Sequence, residues 1–452
     1  MLSFYDLLLT PIYFLMLSLW VVRWRNKHYK NSPLKKYVLP AFIIKSVCCI
    51  LLAFLYEYYY GAGDPFNYYR GSLEIWNATK ANPIYGLELI FKPLEDCSFA
   101  AKEFTDQMSD SQFSASVINM YKIGGFVSIF CFGTYLPMAL IFTFLSFIGS
   151  WKIFIVFTTE FPAYYKKAAL TCLFAPSFVF WSTNILKDPL CIFGLGLCFS
   201  ALYNLMKGKF NFSILLSLIA GSFFMLVFKS YIFYIFCLAG FSALYIHFIT
   251  NLKLHYKVLV KFLMFIVFCT AALIAVKKRD TLGEIFFSEI FNSVSAVQGY
   301  QKEAGGSVYV LSNVEDGSLL GIIKTYLSSL NVSLFRPYLW EVSSLVVVAN
   351  ALESFAVFLL TFYLIVKLKA IGFFKYAFQN RVLNFAFIFT LLLAPLAGLV
   401  SFNFGTLVRY KTPIVPFYYT YIMILYYKTK EKKNIIKNPP DPILTSQNQT
   451  ES

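Results

Sequence analysis

Unbroken apolar runs long enough to cross a lipid bilayer limit this chain more than any other feature. A hydrocarbon core of roughly 30 Å needs about 20 apolar residues per helix. Eleven such runs can be read, at 5–22, 38–56, 132–158, 167–185, 188–206, 210–228, 230–250, 258–276, 343–366, 383–400 and 412–427. Lipid leaves every backbone amide to be satisfied inside the protein, which restricts spanning segments to helices or closed barrels. Barrel strands would be short and alternating, so the expected fold class is all-α: a polytopic integral membrane protein of about eleven helices, between ten and twelve. The tight connections at Lys187 and Lys229 also allow re-entrant hairpins. Residues 1–427 are expected to form one multi-span domain. Only 14% of the 452 residues are charged, against about 25% in a soluble domain, which argues against a soluble enzyme.

The chain holds 39 Lys and Arg against 23 Asp and Glu, a formal charge of +16. No Lys or Arg precedes the first run, whereas Arg23, Arg25, Lys27, Lys30, Lys35 and Lys36 follow it. This is the reverse of a cleaved signal peptide, and the positive-inside rule places the N-terminus outside. Eleven spans then place the C-terminus in the cytoplasm. The inner segments so defined hold twenty-two basic and four acidic residues, among them Lys166, Lys167, Lys207, Lys209, Arg381 and Lys428. The excess charge therefore records topology. It is spread over short loops without the basic groove of a nucleic-acid binder, so no nucleic-acid partner is expected.

Two long outer segments, about 58–130 and 277–342, are expected to contain short interfacial helices, "SASVINMYKIGGFVSIFCFG" being one. Residues 428–452 read as a cytoplasmic, disordered tail. Eight of the nine cysteines lie in or beside spans, and Cys97 alone falls in an outer loop, so no disulfide framework or zinc pair can be drawn. His28, His247 and His255 all fall toward the inner side. Outer-face chemistry must then use carboxylates, Lys, Arg or Tyr, and no ligand cluster calls for a metal or other cofactor.

Four polar stretches fall on the outer side. In "YEYYYGAGDPFNYYRGS", Gly61 and Gly63 permit a tight turn that sets Asp64 at the membrane surface, with Arg70 six residues on and Tyr68 and Tyr69 between. A carboxylate so placed can act as a general base; the plainer alternative is an aromatic belt with a Gly-Asp-Pro turn. In "PSFVFWSTNILKDPL", Lys187 and Asp188 occupy a short turn, where Lys187 suits an anionic head group or merely snorkels, and Asp188 serves a site or caps a helix. In "LFRPYLWE", Arg336, Trp340 and Glu341 precede a span whose interior holds Glu353; Arg336 and Glu341 equally suit a plain salt bridge. In "SFNFGTLVRYKTPIVPF", Arg409 and Lys411 flank Tyr410, cations on the side where the topology rule disfavours them. A planar guanidinium suits bidentate phosphate binding. Lys229 with Tyr231 is a weaker member of the set.

These stretches resemble the multi-span glycosyltransferases of the GT-C type and the O-antigen and exopolysaccharide polymerases of bacterial membranes. "GAGDPFNYYRG" looks like the acidic loop that holds the catalytic base in GT-C enzymes, and "LFRPYLWE" and "NFGTLVRYKTP" look like the arginine segments that hold polyprenyl diphosphate in polymerases. "WSTNILKDP" is similar to a short basic-acidic turn of polysaccharide-assembly proteins. The chain departs from the GT-C pattern in its extra N-terminal span and in having a single Asp64 where a pair of acids is usual.

The resemblance implies a glycosyl-transferring enzyme, transferase or polymerase, of the bacterial inner membrane. It would join a polyprenyl-phosphate- or diphosphate-linked sugar donor to a glycan acceptor at the outer face, with inversion at the anomeric carbon. Asp64 would be the base. Arg70, Lys187, Asp188, Arg336, Glu341, Arg409 and Lys411 would bind phosphate or substrate, and Tyr68, Tyr69 and Trp340 would stack on sugar rings. A divalent metal is compatible with such a reaction but not required. The rival reading is a transporter or flippase for lipid-linked oligosaccharide.

Overall fold

The computed structural model describes residues 2–105, 114–251, 319–342, 345–401 and 403–437. Their regular structure is helical: α1 Phe4–His28, α2 Lys35–Phe54, α3 Asp64–Ala81, α4 Pro83–Phe91, α5 Phe99–Lys102, α6 Ala115–Phe130, α7 Tyr135–Glu160, α8 Tyr165–Leu173, α9 Pro176–Trp181, α10 Lys187–Met206, α11 Phe212–Asn251, α12 Leu319–Phe335, α13 Leu345–Ala377, α14 Arg381–Val400, α15 Phe404–Lys411 and α16 Val415–Lys437. Among the described residues, seven helices are long and apolar enough to cross a membrane: α1, α2 with its continuation to Tyr60, α7, α10, α11, α13 and α14.

The expected run 167–185 is not one helix. Pro176 has no N–H to donate and disfavours helical backbone in the residue before it, so the chain breaks into the short helices α8 and α9. The run 258–276 lies outside the described residues. The run 412–427 falls in α16, which continues to Lys437, so the helix extends into the segment read as tail. The segment expected to lie outside after Tyr58 holds α3 to α6 among its described residues, and the stretch read as interfacial before Phe130 is the apolar helix α6.

Helix α11 is broken at Lys229, whose φ of −147° and ψ of 74° are not helical. Before the break the chain runs antiparallel to α10: Gly221 lies against Gly194, and the Cys198 thiol points to the Leu218 carbonyl at 3.6 Å. After the break it returns beside the same helix: Gly240 lies against Leu202, and Arg381 links the Met206 carbonyl to His247. The chain therefore reverses at Lys229, and the two arms match the runs read at 210–228 and 230–250.

Helices α7, α10 and α14 form the centre of the bundle, while α1 shows most of its apolar side chains to the surroundings. The contact of α7 with α10 is set by Gly149 and Gly196. A Cβ on either would overlap the facing backbone, and small residues of this kind let helices approach closely where lipid supplies no hydrophobic drive. The two ends of the bundle differ in chemistry. One end gathers Lys36 over Tyr165, Lys167 over Tyr427, Lys428 over Phe161, and Glu160 with Lys207 and Arg381. The other holds the start of α3, the start of α10, the reversal in α11, and α15.

Candidate functional site

The geometry of Asp64 begins in the turn that continues α2. Residues Leu55–Tyr60 wind as a π-helical turn, stopped by Gly61 at φ 67°, whose N–H donates to the Tyr56 carbonyl at 2.9 Å. Gly63 follows at φ 142° with its backbone against the Tyr56 ring, where a Cβ would overlap the ring. Asp64 and Pro65 then open α3, Pro in a first turn where no N–H is needed. The Asp64 side chain is 45% exposed, so it is not enclosed by the aromatics around it. One of its oxygens accepts from Arg409 Nη2 at 2.8 Å.

Arg409 stands on α15, a short helix capped by the Asn403 side chain, which accepts from the Thr406 N–H at 2.7 Å. The same Nη2 lies 3.6 Å from Asp188 Oδ2. Asp188, 1% exposed, sits in the first turn of α10. Of the two roles open to it, helix capping is not seen; its Oδ1 accepts from Lys229 Nζ at 2.5 Å. Lys229 also lies over the Tyr410 ring at 4.8 Å. Asp64, Arg409, Asp188 and Lys229 thus form one chain of alternating charge drawn from α3, α15, α10 and α11. Burial works against the charge on Arg409, but neighbouring carboxylates, Asp188 foremost, outweigh it and hold the guanidinium protonated.

Lys187 extends the site. Its Nζ donates to Ser116 Oγ on α6 at 2.7 Å and lies 5.6 Å from the centre of the Tyr68 ring. Tyr68 is buried, and burial first and Asp64 second push its hydroxyl well above the ordinary range, keeping it a neutral donor. Three cations, Arg409, Lys229 and Lys187, therefore converge with two carboxylates, Asp64 and Asp188.

The remaining sequence candidates lie elsewhere. Arg336 forms an ion pair with Glu341, its Nε donating at 3.0 Å, and Glu341 also accepts from the Tyr338 N–H at 2.8 Å. This is the plain salt bridge that the sequence allowed. Lys411, two residues after Arg409, points to another side of α15, as 100° per residue requires. It is buried, donating to Ser354 Oγ at 3.0 Å and the Arg336 carbonyl at 3.2 Å. Burial pulls its pKa down to about 8, with Glu353 opposing. Glu353 itself accepts from Ser177 N–H at 2.8 Å. Arg70 is exposed on α3. Tyr69 is a core residue, its hydroxyl donating to the Gly133 carbonyl at 2.8 Å and its ring edge-on to Tyr135. Trp340 is 77% exposed and stacked on Tyr338.

No protein-family model matches the chain, and no curated protein or solved structure does either.

Lys229 is the member of the site least marked in the sequence. Its signal was a lone cation between two apolar runs, easily read as a snorkelling lysine. Ser116 gave no signal, because only the fold carries α6 to Lys187. An apolar groove of about 360 Å³ lies along the same helix, lined by Ile90, Asn119, Ile123, Phe126, Phe223 and Val227 among others. Ser116, Asn119, Ile123 and Phe126 follow one face of α6 at helical spacing, and Val227 is two residues before Lys229. The groove therefore shares two helices with the charged site. Among the described residues, no group of three His, Cys, Asp or Glu side chains is placed to hold a metal ion.

Proposed function

We propose that this chain is a membrane-embedded glycosyl-transferring enzyme, transferase or polymerase, acting on a polyprenyl-phosphate- or diphosphate-linked sugar at the outer face of a bacterial inner membrane. The observation that carries the reading is Arg409 held between Asp64 and Asp188, with Lys187 and Lys229 beside it, at the bundle end opposite the basic loops. A half-exposed carboxylate next to a set of anchored cations is what glycosyl transfer from a phosphorylated lipid needs. The acceptor hydroxyl oxygen attacks the anomeric carbon as its proton passes to Asp64. The bond from that carbon to the phosphate oxygen breaks, and the charge left on the phosphate is met by Arg409 with Lys187 and Lys229. The groove along α6 and α11 suits the isoprenoid tail. Arg336 and Glu341, spent on each other, are left out of this scheme.

The experiment is a gel of lipid-linked and surface glycans from a deletion strain, complemented with the wild-type chain or with Asp64→Asn. Loss of the ladder with single repeats remaining marks a polymerase, and a truncated repeat marks a transferase. Repeats trapped inside the cell would overturn the enzyme reading in favour of a flippase.

A further inference from the structure

Two carboxylates face Arg409, and they are not equivalent. Asp188 is buried and fixed by Lys229 at 2.5 Å, whereas Asp64 is 45% exposed and stands just after a turn made by Gly61 and Gly63. Arg409 is therefore anchored from behind and closed from the front. Its hydrogen-bonding capacity is also under-used. Asp64 and Asp188 both approach the same Nη2, while the buried Nε has no hydrogen-bond partner among the described residues. A buried donor without an acceptor is costly, and a guanidinium edge offering Nε and Nη2 together is the geometry that a phosphate takes in bidentate fashion.

We infer that Asp64 is a displaceable stand-in for the phosphate or diphosphate of the ligand, occupying Arg409 until that anion arrives. This rests on the functional reading above and specifies how its site is switched. With Asp64 in place, three cations face two carboxylates; with Asp64 displaced they face only Asp188. The uncovered excess matches the about two negative charges of a diphosphate diester. Arg409 keeps its place because Asp188 does not leave. Asp64, released from the guanidinium, becomes free to accept a proton from the acceptor. Binding the donor thus unmasks the base, which orders the reaction as donor first and proton transfer second.

A residue that only helps to bind the ligand weakens binding when neutralised, whereas a competing anion strengthens it. Inorganic diphosphate is titrated by calorimetry into the full-length protein in phosphatidylcholine nanodiscs. Asp64→Asn should bind it about three- to tenfold more tightly than wild type, as expected for loss of one half-exposed ion pair. Asp64→Ser should do the same, and Arg409→Gln should lose binding. Unchanged or weaker binding by both Asp64 variants, with helix content and thermal unfolding like wild type, overturns the inference, as does binding that survives Arg409→Gln. The glycan gel separates this from the functional reading. Tighter binding with a normal ladder keeps the exchange and sinks the glycosyl-transfer reading; unchanged binding with a lost ladder does the opposite.

Discussion

Lys229 donates to Asp188 at 2.5 Å, and this bond ties the reversal of α11 to the first turn of α10. Asp188 is buried at 1% exposure and Lys229 is mostly covered at 11%. Removing one partner of such a pair leaves an uncompensated charge, at a cost of about 3–5 kcal/mol. Lys229→Met or Asp188→Leu alone should lower thermal stability sharply in detergent. The double variant should recover most of the loss and still fail to bind diphosphate, because Arg409 has lost its anchor. Full additivity of the two single losses would contradict the pairing.

Gly63 stands at φ 142° against the Tyr56 ring. Gly63→Ala adds a Cβ where the ring already lies and forces a side chain into backbone that only glycine adopts easily. The start of α3 must move, and Asp64 with it. Glycan extension should fall at least tenfold, for a stability loss of about 1–3 kcal/mol. Wild-type extension by this variant would show that the turn does not set the position of Asp64.

Lys411 tests burial through pH. Burial lowers its pKa from 10.5 to about 8 in the folded chain. Below about 8 both states carry the proton and the burial penalty is complete. Between about 8 and 10.5 the folded state has lost the proton and the unfolded state still holds it, so stability rises with pH. The gain should total about 3 kcal/mol and be absent in Lys411→Met. Thermal unfolding of both proteins from pH 7 to 10.5 reads the difference; parallel curves would contradict the burial of the amine.

Arg336 and Arg409 are both outer-side arginines by sequence, yet the structure separates them. Arg336 is paired with Glu341, five residues away, and Arg409 with Asp64 from the other end of the chain. Arg336→Gln should keep glycan extension within a few fold of wild type, whereas Arg409→Gln should abolish it. Equal losses would restore Arg336 to the site.

Much of the spanning architecture is legible in the sequence because lipid demands continuous apolar helix, and α1, α2, α7, α10, α13 and α14 fall on the expected runs. Pro176 is visible too, but hydropathy alone runs across it and joins α8 to α9. The candidate residues were legible as residue types out of place: Asp64 on a glycine turn, Lys187 in a short connection, Arg409 on the wrong side of the charge rule. Their pairing was not. Asp64 and Arg409 are 345 positions apart, and no local pattern encodes a contact made only when α3 and α15 meet. The same limit hid the difference between Tyr68, which faces Lys187, and Tyr69, which turns into the core.

Asp64 is proposed as the base of a glycosyl transfer at this site. The most direct measurement is the glycan ladder of a deletion strain carrying Asp64→Asn, with membrane levels of the variant shown equal to wild type. Chain extension should be lost while the variant accumulates and folds normally. A ladder indistinguishable from wild type would contradict it.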